Sequence, residues 1–103
     1  MTMNKPLNTL ETSAMLEELD DNALYLMYRD NNQAAFAVLV DRYRPILASY
    51  LTTTLRVSDP TTRDSVAQAV FEQLAGVADK FNAGTSSVAG WMFWLAKNRL
   101  KSI

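Results

Sequence analysis

Apolar residues along this chain recur three and four positions apart, with no alternating stretch, which is the period of helices and not of strands. Leu16, Leu19, Ala23, Leu24, Met27 and Tyr28 form the first stripe. Asp20 or Asp21 can start a helix there as an N-cap and Asp30-Asn31-Asn32 can stop it, so a short first helix, whole or broken, is predicted. From Gln33 the stripe is Phe36, Leu39, Val40, Tyr43, Leu47, Tyr50 and Leu51, giving a second helix to about residue 55. Pro45 inside it lacks an N–H and should kink it. Asp59-Pro60 joins a capping carboxylate to a proline at the first helical position and opens a third helix. Val66, Ala67, Val70, Phe71, Leu74 and Val77 or Ala78 would face inward, and Asp64, Ser65, Gln68, Ala69, Glu72 and Gln73 outward. Residues 80–87 read as a loop, where Gly84 and three hydroxyl residues supply turns and the next N-cap. Val88, Trp91, Met92, Leu95 and Ala96 define a fourth helix running into Ile103.

The pattern predicts an all-α, compact three- to four-helix domain over residues 16–103. Residues 1–15 are expected to be a loose tail, because they are largely polar, contain Pro6 and sustain no period. A chain of 103 residues can bury a core without metal or disulfide staples. Phe36, Leu39, Tyr43, Leu47, Val66, Val70, Phe71, Leu74, Trp91 and Leu95 are its expected members.

Composition then narrows the chemistry. The chain has no Cys and no His, which removes disulfides, thiolate nucleophiles, the usual zinc ligands and the commonest catalytic base. No enzyme activity, cofactor or metal is expected. Neither a cationic start with an apolar secretory core nor an apolar run of about 18 residues occurs, so a soluble cytoplasmic protein without membrane insertion is expected.

Charge changes the picture more. Residues 1–79 hold all eleven Asp and Glu beside six Lys and Arg, a balance of −5, while residues 80–103 carry four cations and no acid, a balance of +4. Those cations, Lys80, Lys97, Arg99 and Lys101, share their stretch with Phe81, Trp91, Phe93 and Trp94. Cations that bind phosphates, mixed with flat rings that stack unpaired bases, form the combination that binds single strands. Trp91 falls on the apolar stripe, which favours a core role, whereas Phe93 and Trp94 fall off it and one of them should be exposed. Lys97, Arg99 and Lys101 also have a structural reading, since cations at a helix C-terminus oppose the dipole for about 0.3–1 kcal/mol each.

The motif order resembles a known family. Residues 21–30, DNALYLMYRD, then Ala34-Ala35-Phe36 and Asp41-Arg42-Tyr43-Arg44-Pro45, resemble the opening of bacterial RNA polymerase sigma factors of the extracytoplasmic-function group. Val66-Ala67-Gln68-Ala69-Val70-Phe71 looks like that family's core-binding helix. Phe81, a ten-residue step to Trp91, and the segment through Lys97-Asn98-Arg99-Leu100 look like its promoter-reading part. The resemblance covers roughly residues 20–103, the family's region two. Complete members continue into a helix-turn-helix domain, so an excised domain or a stand-alone relative is expected.

The resemblance implies a helical domain that docks on the β′ clamp helices of core RNA polymerase and captures the non-template strand of the −10 promoter element. The polymerase surface would be Asp64, Ser65, Gln68, Ala69 and Glu72. Phe81, Asn82, Thr85, Ser86 and Ser87 would hold a base flipped from the duplex. Lys80, Trp94, Lys97, Asn98, Arg99 and Lys101 would contact the strand. Two departures stand out: Ser65 and Ala69 occupy positions where the family usually has acidic residues, and Thr85 and Ala89 occupy positions that are commonly Arg or Lys. Ser65 and Ala69 keep open an alternative, a degenerate sigma-like adaptor that binds an anti-sigma factor or a second copy of itself without melting DNA.

Overall fold

The structure, a computed structural model, describes residues 15–101, and among them all regular structure is helical. Four α-helices follow in order: α1, Asp21–Arg29; α2, Gln33–Thr53; α3, Pro60–Gly76; and α4, Val88–Lys101. A 3₁₀ turn, Ala78–Lys80, links α3 to the loop before α4. Of the expected N-terminal tail only Met15 is described, and it is helical, shortly before α1; residues 1–14 and 102–103, with the expected helix end at Ile103, lie outside the described residues.

Each helix begins where a short polar side chain can take up a backbone N–H that would otherwise lack a partner. Asp20 accepts from Ala23 N at 2.7 Å, and Asn32 from Ala35 N at 3.1 Å. Asp59 accepts from both Thr62 N and Thr62 Oγ1, and these bonds hold its carboxyl below the usual carboxylate range. Ser87 Oγ accepts from Gly90 N at 3.0 Å. Asp30, Asn31 and Asn32 stop the first helix as expected, with Asn32 N donating back to the Met27 carbonyl at 3.0 Å, and Asn32 also starts the second. The reversal is made by Asn31, which sits at φ 78, a left-handed conformation that Asn tolerates better than most residues.

α2 continues through Pro45. The carbonyl four residues earlier, on Asp41, loses its intrahelical donor, but Asp41 and Pro45 are both exposed and water can replace the bond. The helix ends at Thr53, slightly before residue 55, and the chain turns through Arg56 at φ 59.

The core is one cluster to which every helix contributes. Leu24 and Tyr25 enter from α1, Leu39, Leu47 and Leu51 from α2, Val66, Val70 and Leu74 from α3, and Val88, Met92 and Ala96 from α4. Fully burying a Leu, Val or Met contributes about 1.5–3 kcal/mol, so this cluster is the main favourable term. Most expected core residues are buried, but Phe36 and Trp91 are only half-buried at its edge. Of Val77 and Ala78, it is Ala78 that is buried.

Tyrosines add direction to this packing. Tyr25 Oη donates to the Leu74 carbonyl at 2.6 Å and Tyr28 Oη to that of Ala75 at 3.1 Å, so α1 caps the C-terminal end of α3. At the other end of α1, the Asp21 carboxylate accepts from Arg42 Nη1 at 2.7 Å and from Tyr43 Oη, tying α1 to α2. No helix among the described residues is long and apolar enough to cross a membrane.

Candidate nucleic-acid interface and the α3 groove

On α4, successive residues turn by about 100°, so steps of three and four stay on one face while a step of two crosses to the other side. Gly90, Trp94, Lys97 and Lys101 are spaced four, three and four apart, and all are exposed. Trp94 is 63% accessible, the most exposed of the large apolar side chains among the described residues. The expectation that Phe93 or Trp94 would be exposed is resolved in favour of Trp94. Phe93 is half-buried against Tyr50, with ring centroids 4.5 Å apart.

Beside Trp94 lies a groove of about 650 Å³ lined by Val77, Lys80, Gly90, Trp91, Trp94 and Leu95. Gly90 has no side chain to fill it. Trp91 has two roles: its indole meets Phe81 edge-on inside the fold, and it also lines the groove outside. The groove therefore combines two indoles with a lysine at its edge, and Lys97 and Lys101 follow along the helix.

Phe81 does not belong to this surface. Sequence reasoning placed it among the residues around a flipped base, yet it is 4% accessible. Its ring packs edge-on against Tyr25 at 4.9 Å and Trp91 at 5.4 Å. The 3₁₀ turn delivers this first loop residue into an apolar site between α1 and α4, and burying a ring is worth more than leaving it in water.

The rest of the loop is organised by its own polar groups. Asn82 Oδ1 accepts from Gly84 N at 2.9 Å, and its carbonyl accepts from Thr85 N and Ser86 N. Asn82 and Thr85 remain exposed; Ser86 is half-buried, and Ser87 is the cap of α4. The residue that fixes this loop to the body is Asn22 of α1. Its Oδ1 accepts from Val88 N at 3.1 Å, and its Nδ2 donates to the Ser86 carbonyl at 3.5 Å. Nothing in the sequence marks Asn22, because its partners lie more than sixty positions away.

Arg99 also departs from expectation. It was grouped with Lys97 and Lys101 as a strand contact, but it is two residues from each and lies on the opposite side of α4. There it lines a second groove, of about 730 Å³, together with Arg44, Ala48, Arg63, Asp64, Ser65, Ala67, Gln68, Ala69 and Glu72. The five residues expected on the polymerase face, Asp64, Ser65, Gln68, Ala69 and Glu72, are thus brought together, with Ala69 half-buried and the others exposed. Gln68 Nε2 donates to Glu72 Oε2 at 3.2 Å. Asn98 Nδ2 donates to the Trp94 carbonyl at 2.8 Å, so that amide serves the helix it sits on.

Comparison with protein families, with curated proteins and with solved structures gives no match to this chain.

Proposed function

We propose that this chain is a sigma-factor region-two-like domain of transcription initiation, which captures unpaired promoter DNA on α4 and docks on core RNA polymerase through α3. The observation that carries this reading is Trp94, exposed beside the Trp91 groove and followed on the same face by Lys97 and Lys101, with Lys80 at the groove edge. An exposed indole provides a stacking platform worth about 1–3 kcal/mol per base, and the lysines supply the phosphate contacts. Extruding a base costs a few kcal/mol, a magnitude that one stacked base can offset. The role assigned here does not require catalysis.

A second reading has its own support. The residues around Gln68 include Ser65 and Ala69 where acidic groups would complement a basic partner, and three arginines share their groove. That favours the adaptor, in which α3 binds an anti-sigma factor or a second copy without promoter melting.

One experiment separates them: a pull-down with purified core polymerase beside titration of short single-stranded and duplex −10-like oligonucleotides at several salt concentrations. The initiation reading expects polymerase capture and a preference for the single strand. Lys97→Ala and Lys101→Ala should each lower the salt slope by about 0.7, one phosphate contact apiece. Retention on neither polymerase nor oligonucleotide would remove the initiation reading and leave the adaptor.

A further inference from the structure

Given strand capture by α4, on which this rests, we infer that the groove of Trp91 and Trp94 prefers thymine among the pyrimidine bases of a single strand. Two properties of its lining act together: the polar side-chain groups are all donors, and the remaining walls are apolar.

The lining consists of Val77, Lys80, Gly90, Trp91, Trp94 and Leu95, so its polar side-chain groups are one ammonium and two indole N–H groups. None of them can accept a hydrogen bond. Among the described residues the ion pairs are Arg29 with Asp30 and Arg42 with Asp21, which leaves the Lys80 ammonium without a carboxylate, and neither indole N–H has a protein partner. The donors are free for a ligand. The backbone carbonyls of the lining are mostly engaged, since that of Val77 accepts from Lys80 N at 3.0 Å and that of Trp94 from Asn98 Nδ2 at 2.8 Å. Those of Gly90, Trp91 and Leu95 lie within α4, where the following turn supplies their donors.

A groove of donors bonds a base that brings carbonyls and leaves a base's amino group without an acceptor. Thymine presents carbonyl oxygens at its edge, whereas cytosine replaces the carbonyl at C4 with an amino group. An amino group placed against donors loses its water and gains no bond. The apolar walls add a second preference, because Val77, Leu95 and the two indoles suit the C5-methyl of thymine, which uracil lacks. Lys97 and Lys101, farther along the same face, hold phosphates whichever base is present.

The test measures fluorescence anisotropy of the full chain with labelled deoxyribose strands of about eight nucleotides, each made wholly of thymine, uracil, 5-methylcytosine or cytosine. Sugar, charge and ring type are constant across the four, so phosphate contacts cancel in the ratios. Thymine should bind about fourfold tighter than uracil, the effect of burying one methyl group. It should bind about tenfold tighter than 5-methylcytosine, which keeps the methyl but carries the amino group. Lys80→Gln adds an acceptor and should bring thymine and 5-methylcytosine to similar affinity while leaving the preference over uracil. Val77→Thr keeps the shape but sets a hydroxyl in the wall, and should shrink the preference over uracil while leaving that over 5-methylcytosine. Lys80 is exposed and Val77 half-buried, so circular dichroism should show both variants folded. Equal binding of the four strands, a preference for cytosine, or a thymine to 5-methylcytosine ratio unmoved by Lys80→Gln overturns the proposal and leaves strand capture standing. Binding of none of the strands overturns both.

Discussion

Phe81 and Trp94 are both aromatic, lie in the same basic stretch and were both candidates for contact with a single strand, but one is buried and the other exposed. Truncating each to Ala should therefore separate stability from binding. Phe81 is 4% accessible and contacts Tyr25, itself fully buried, and Trp91, so its removal leaves a cavity between α1 and α4 with little room to relax. Core Phe→Ala changes cost about 3–5 kcal/mol, against a total stability of about 5–15 kcal/mol for a domain. At about 4–8 °C per kcal/mol for a domain slightly smaller than this one, Phe81→Ala should lower Tm by roughly 12–40 °C. Trp94, at 63% accessibility, should change stability by no more than about 0.5 kcal/mol. Its loss should instead remove a stacking platform of about 1–3 kcal/mol per base. That weakens a short single strand roughly 5- to 150-fold, since every 1.4 kcal/mol is tenfold. Urea unfolding followed by far-UV circular dichroism gives the first quantity, and anisotropy of a labelled oligonucleotide at temperatures where each variant is folded gives the second. If Phe81→Ala costs less than about 1 kcal/mol and abolishes binding while Trp94→Ala binds normally, the ring at position 81 faces the ligand in solution and the reasoning fails.

Two further outcomes follow from the same contacts. Asn22→Ala removes the acceptor for Val88 N, which should cost about 1 kcal/mol and speed hydrogen exchange of the Val88 amide about fivefold; unchanged exchange would show that Asn22 does not hold the start of α4. Burial first, and then its bond to Asp21, pushes the Tyr43 phenol up to about 12 from 10.0, and burial likewise raises Tyr25. A phenol whose folded pKa is raised contributes stability that is complete below its unfolded pKa and is lost as pH climbs through the folded value. Stability should thus fall from about pH 10 toward pH 12, and less steeply in Tyr43→Phe. Denaturant unfolding at a series of alkaline pH values measures this, and identical slopes for wild type and variant would place Tyr43 outside the linkage.

Reading the sequence went furthest where the determining interactions are local. The start of α3 follows from Asp59-Pro60 and its inward face from the apolar period, because a cap and a helical stripe are set by residues three or four apart, whereas its end at Gly76 comes before the Val77 and Ala78 that the stripe included. The 3.6-residue period also separated Trp94 from the buried face of α4. The same arithmetic places Arg99 opposite Lys97 and Lys101, a signal that was present but outweighed by grouping charges along the chain. That the helix continues past Pro45 depends on water reaching the freed Asp41 carbonyl, which is a matter of exposure in the folded state.

What the sequence by itself determined was the all-helical class, most of the helix starts and the inward stripes, since backbone hydrogen bonding and apolar periodicity act over one or two turns. Only the tertiary structure decided the surfaces. It turned Phe81 inward to meet Tyr25 and brought Asn22 to the start of α4. It also gathered Arg44, Arg63 and Arg99 from three helices into one groove. The physical reason is that burial and charge convergence are properties of packed elements, and residues tens of positions apart share a cavity only after the helices have chosen which faces to bury.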